Sequence, residues 1–236
     1  MLKTVRVWFE KKDTARYISH LDLNRCMSRA FHKTRLPLWY TQGFHPHVFL
    51  TFAMPLSLGM SGLQESMDIR LTEEMAGEEI IQKLNTALPL DIRVYDVTEP
   101  VMKACEIAWA EYEIAYDPEN ATAQEAKAKL ESLLQQSEIL VTKHTKKGPK
   151  EFDIRPYFEG VQLNIREDGW LETRHRLPIS VNGGQVPDAV DVHHAGKRSG
   201  GGRLYRGIVF RRRQDSRIAR APQARYIGGA QRYPRR

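Results

Sequence analysis

Three histidines and an aspartate in the first fifty residues stand where they could do chemistry. His20 and Asp22 belong to Ser19-His20-Leu21-Asp22, and His45 and His47 to Gly43-Phe44-His45-Pro46-His47. An imidazole titrates near neutrality, so His20, Asp22 and His45 are candidate acid–base residues. His20 stands at the expected start of a helix, where free amides and the helix dipole favour an anion such as phosphate. The plainer reading makes it a first-turn residue behind a Ser19 cap. In an extended segment His45 and His47 share a side, and with His20 they form a candidate metal set. Spacing this loose recurs by chance.

A second group of residues suits nucleic acid. Arg25, Arg29 and Lys33 recur along the same expected helix, and Arg35 follows at its exit. Beside them Tyr40 and Phe44 are aromatics that could stack on bases, with Gly43 and Pro46 shaping the loop. Lys146, Lys147 and Lys150 form a further basic turn next to Gly148-Pro149. Phosphate contacts combined with stacking hold single-stranded RNA. The plainer alternatives are a solvated helix face, a loop that plugs the core with Phe44, and a flexible hairpin end.

Several chemistries are excluded. There is no Walker A loop, no G-x-G-x-x-G, no nucleophile elbow and no His-Glu-x-x-His. Cys26 and Cys105 are the only cysteines, too few for a cluster or zinc site held by three or more thiolates of this chain. The chain is therefore not itself a radical-SAM enzyme, and no resident cofactor is expected. No apolar run is long enough for a membrane span, and the first residues lack a signal-peptide core. The expected address is the cytoplasm, with the cysteines reduced.

The net charge of +7 is unevenly spread. Residues 1–177 carry 23 basic and 26 acidic side chains, a balance of −3, whereas residues 178–236 carry 13 and 3, a balance of +10. Within the first part, residues 1–50 carry 9 basic and 3 acidic side chains, a local +6 suited to a polyanion.

Periodicity supplies the elements that must position these groups. Lys3–Glu10 alternates as a strand, with Val5, Val7 and Phe9 on one side. A helix runs from Ser19 to about Thr34, burying Leu23, Met27, Ala30 and Phe31. Strands follow at His47–Ala53 and Glu65–Leu71, then a helix at Glu78–Ala87 and a strand at Leu90–Val97. This order, strand-helix-strand-strand-helix-strand, is the ferredoxin-like pattern. A second pass gives a strand at Glu106–Tyr116, a helix at Ala121–Gln136, and strands at Ile139–His144, Val161–Arg166 and Trp170–Arg176. The expected fold is thus α+β: two ferredoxin-like (βαββαβ) units in tandem over residues 1–99 and 100–177, the second incomplete. A completing helix and strand should lie beyond Leu177, but no sustained period is legible there. The Gly/Arg-rich segment 178–236 is expected to be a disordered basic tail or the product of a shifted reading frame, and the abrupt loss of pattern favours the second.

The series Tyr17-Ile18-Ser19-His20-Leu21-Asp22-Leu23, Arg29-Ala30, Leu36-Pro37, Gly43-Phe44-His45-Pro46, Phe52-Ala53 and Pro55-Leu56 resembles the radical-SAM-linked family. Lys147-Gly148-Pro149-Lys150-Glu151-Phe152-Asp153-Ile154-Arg155-Pro156-Tyr157 resembles its second hallmark. The resemblance covers about residues 3–177 and implies a radical-SAM enzyme as partner while leaving the reaction blank. The expected function is an accessory protein that binds structured RNA, tRNA or rRNA, to assist its modification. One alternative is a metal- or acid–base-dependent enzyme using His20, Asp22, His45 and His47. Another is a protein-only scaffold docking through Glu73, Glu74, Glu78 and Glu79.

Overall fold

Alternating apolar side chains pull the first strand against two helices. In β1 (Lys3–Lys11), Val5, Val7 and Phe9 are buried, and the same face is continued by β3 (Met60–Leu71) through Met67, Ile69 and Leu71. Helix α1 (His20–Thr34) covers this surface with Leu23, Met27, Ala30 and Phe31, and α2 (Gly77–Ala87) adds Ile80 and Leu84. The short β2 (Leu50–Phe52) pairs with the last part of β3, and β4 (Ile92–Thr98) pairs with β1. The computed structural model describes residues 2–107, 109–118, 121–145, 148–178 and 205–214, the last segment by its backbone course alone.

The second half packs β5 (Trp109–Pro118) and β9 (Leu171–Pro178) beneath α3 (Ala123–Leu134) and a 3-10 turn at Arg155–Phe158. Thr122 caps α3, its side chain accepting from the Glu125 amide while Glu125 reaches back to the Thr122 amide. A separate two-stranded hairpin joins β6 (Leu140–Thr145) to β7 (Gly148–Asp153), and β8 (Gln162–Ile165) lies on the outer edge of β9. Strand β10 (Tyr205–Gln214) runs antiparallel to β5 and parallel to the start of β3. The large sheet therefore has the order β4-β1-β3-β10-β5-β9-β8, with β2 also on β3. Among the described residues this is an α+β structure of three α-helices and two sheets, antiparallel apart from the β10–β3 pairing.

Three differences from the periodicity reading are informative. The segment His47–Ala53 is a strand only at Leu50–Phe52, because its earlier residues fold into a hairpin arm. β7 is a strand that the sequence conceals, since Gly148-Pro149 looks like a turn. β10 occupies part of the segment expected to be a patternless tail, where the Arg211–Arg213 triplet hides any alternation. Residues 179–204 and 215–236, to which the expectation of disorder or a shifted frame also applies, lie outside the described residues. Each half has its own hydrophobic cluster, and the second also takes in Leu56 and Met60 from before residue 99. Among the described residues, no helix is long and apolar enough to cross a membrane.

Candidate nucleic-acid interface

Helix α1 begins where Ser19 stays extended and its side chain accepts the Asp22 amide at 3.1 Å. The Asp22 carboxylate accepts from the Ser19 hydroxyl at 2.7 Å and from Arg25 at 3.1 Å. The Ser19 hydroxyl first, and then Arg25, hold the Asp22 carboxyl below its ordinary range. The helix ends at Arg35, which takes a left-handed conformation with φ of 50°. Its apolar stripe is buried, so Arg25, Arg29 and Lys33 are left exposed on the outer side.

These three cations meet in one groove. Together with Asp22, Cys26 and Ala30 they face Ala87, Leu88 and Pro89 at the end of α2, enclosing about 570 Å³. Burial pushes the Cys26 thiol up, against the opposing pull of Arg29 and Lys33. The last carbonyls of α2 bring the negative end of a helix dipole to the same place, which accounts for part of the basic lining. Arg35 is exposed just beyond the groove.

The loop after α1 is a hairpin arm. Phe49 donates its amide to the Trp39 carbonyl, and Thr41 donates to His47. At its root Trp39 and Phe49 meet edge-to-face, and the Arg70 guanidinium packs beside both rings, 5.3 Å from the Trp39 centroid and 4.1 Å from that of Phe49. Tyr40 joins the arm to α1, its hydroxyl 3.2 Å from His32 Nδ1. Phe44 stands at the tip with its side chain fully exposed, so the ring does not plug the core.

The histidines are dispersed. His20 packs edge-on against Phe52, with ring centroids 4.9 Å apart. The His47 ring lies 3.0 Å from the Thr41 hydroxyl and 3.1 Å from the His45 carbonyl, and His45 is exposed. Among the described residues, no three His, Cys, Asp or Glu side chains are placed to hold a metal ion, so His20, His45 and His47 are not brought together as a ligand set. Of the second basic turn, Lys146 and Lys147 lie outside the described residues, and Lys150 sits in β7 opposite Lys143 in register. In the acidic region, Glu74 approaches Lys3 at 3.6 Å and Glu79 pairs with Lys83 at 2.9 Å.

Among the buried polar side chains that escape the reading of motifs, three stand where a strand's apolar series would continue. Lys11 and Glu65 lie within the first half, and His175 within the second. Continued period-2 alternation would find them: Val5, Val7 and Phe9 lead to Lys11, Leu71, Ile69 and Met67 lead back to Glu65, and Leu171 and Thr173 lead to His175. His175 contacts the Thr173 hydroxyl through Nε2 at 2.7 Å, and burial pushes it down to about 4.

No curated protein matches the chain. A family model does, over residues 4–184, which is most of its length. The chain belongs to the family described as an uncharacterized protein conserved in bacteria, DUF2344.

Proposed function

We propose that this protein is a cytoplasmic accessory factor for a radical-SAM enzyme and holds structured RNA against the outer face of α1. The observation that carries the reading is the groove containing Arg25, Arg29 and Lys33. Residues four apart on a helix are separated by about 6 Å along its axis, so the three cations form an evenly stepped row. Such a row suits successive phosphates of one strand. Tyr40 and the exposed Phe44 are the stacking residues, carried on an arm stiffened at its root by Trp39, Phe49 and Arg70. The radical-SAM association rests on the motif resemblance alone.

The ferredoxin-like reading of both halves is part of this proposal. It is supported by the order β4-β1-β3-β2 in the first half and β10-β5-β9-β8 in the second. These orders repeat one scheme in which the last strand lies outside the first.

The test is tRNA and rRNA-fragment binding by the full chain across a salt titration. Removing residues beyond 177 would delete β10 from the middle of the sheet, so substitution is the sound comparison. Replacing Arg25, Arg29 and Lys33 with Gln should reduce the salt slope by about 2, near 0.7 for each phosphate no longer neutralised. RNA should also slow alkylation of Cys26, whose thiol lines the same groove. An unchanged slope with no protection of Cys26 would remove the groove from consideration.

A further inference from the structure

Two neighbouring strands of the first half carry opposite charges where their pattern calls for apolar residues. On β1 the buried series Val5, Val7, Phe9 ends in Lys11, and on β3 the series Leu71, Ile69, Met67 ends in Glu65. The strands are antiparallel, so both exceptions fall at the same end: Phe9 lies opposite Glu65, and Lys11 opposite Gly62. Directly opposed residues share a face, which places Glu65 with Phe9 on the helix-covered side; Lys11 follows Phe9 by two residues, past a shift in register, and reaches the start of α1 from there. Lys11 is 0% exposed and Glu65 2%.

Gly62 makes this arrangement possible. A Cβ there would lie 2.4 Å from Glu65 Cγ and 2.8 Å from Oε1, so the carboxylate arm folds back across the position that faces Lys11. The two strands thus bury opposite charges at the same end, and a buried charge is costly unless surrounding groups compensate it. Phe9, opposite Glu65 in register, packs edge-to-face on Phe52, and His20 packs edge-on against Phe52 as well.

Lys11 reaches out of this centre to the start of α1. Its Nζ donates to the Ile18 carbonyl at 3.2 Å, one residue before the Ser19 cap. Ser19 holds Asp22 in both directions, and Asp22 holds Arg25. A chain of polar contacts therefore links a fully buried ammonium to the first cation of the groove, and His20 lies within the span it fixes.

We propose that Lys11 is a positioning residue that sets the start of α1 and so the placement of His20 and Arg25. Its consequence for RNA rests on the groove reading above, but the positioning itself does not. An apolar residue at position 11 would fill the core without holding Ile18.

The experiment uses the full chain labelled with 13C-histidine, with the His20 signal assigned by its loss in His20→Asn. Lys11→Met is compared with Lys11→Met/Glu65→Gln, which removes both charges and remains informative if the single variant fails to fold. In the double variant the His20 ring resonances and titration midpoint should shift while those of His175 stay fixed. Arg25→Ala, expected to weaken RNA binding in the native background, should have no further effect there. Unshifted His20 resonances in the folded double variant would reduce Lys11 to core filling and overturn the proposal. Shifted resonances in a protein that never bound RNA would uphold the positioning and defeat the groove reading.

Discussion

The two halves of the molecule bury polar groups on equivalent faces and stabilise them differently. The first half keeps Lys11 and Glu65, a cation and an anion on adjacent strands, with the ammonium bonded to a backbone carbonyl. The second half buries His175 against the Phe158 ring, 5.1 Å between centroids, and lets the imidazole lose its charge. A group that can become neutral needs only a hydroxyl such as Thr173 beside it. An ammonium that stays charged must be held by acceptors, of which the Ile18 carbonyl is one, and that requirement fixes geometry over several residues. The costlier arrangement lies in the half that carries the groove, with Lys11 bonded two residues before His20.

The sharpest way to break this comparison is to remove one charge. Glu65→Leu removes the buried carboxylate from the strand beside Lys11, and if the two charges compensate each other the loss should be about 3–5 kcal/mol in urea unfolding. Adding Lys11→Met to that variant should recover most of the loss. Strictly additive losses would mean that the two charges do not compensate each other.

The second half should respond to acid instead. The folded His175 pKa, about 4, lies below the unfolded value of 6.5, so protons bind the unfolded state more readily. The stability contribution is therefore complete above pH 6.5 and is lost as pH falls from there towards 4. Its full size is on the order of 3 kcal/mol. His175→Gln should flatten the fall in urea midpoint between pH 6.5 and 4. An equally steep fall in that variant would place the acid sensitivity elsewhere.

These contrasts also mark what can be read from the chain. Helix α1, its Ser19 cap and its exposed cations are legible because a 3.6-residue period and a capping residue are local signals. Lys11 and Glu65 are written in the period-2 pattern as well, but a charge at the end of a strand ordinarily marks where the strand leaves the core. Only the partner strand reveals that both ends coincide, and that pairing joins residues more than fifty positions apart. β10 is illegible for the same reason: it is held by β5 and β3, and its own arginines obscure any alternation. The histidines and Asp22 share a stretch of sequence, which does not amount to shared space. The hairpin arm carries His45 and His47 away on a structure of its own.

The smallest expected effect on the fold belongs to the arm, and it sharpens the comparison from the other side. The Phe44 side chain is fully exposed at the tip of a hairpin whose root is already secured by Trp39, Arg70 and Phe49. Phe44→Ala removes no buried contact, so unfolding in urea should shift by less than about 0.5 kcal/mol. If the ring stacks on a base, RNA affinity should nevertheless fall by about 1–3 kcal/mol, with the salt slope unchanged because every phosphate keeps its cation. Lys11 and Phe44 then represent opposite designs within one half: a charge concealed to hold the site in place, and a ring exposed to meet the ligand. A loss of stability without a loss of affinity in Phe44→Ala would reverse that assignment and return the ring to a structural role.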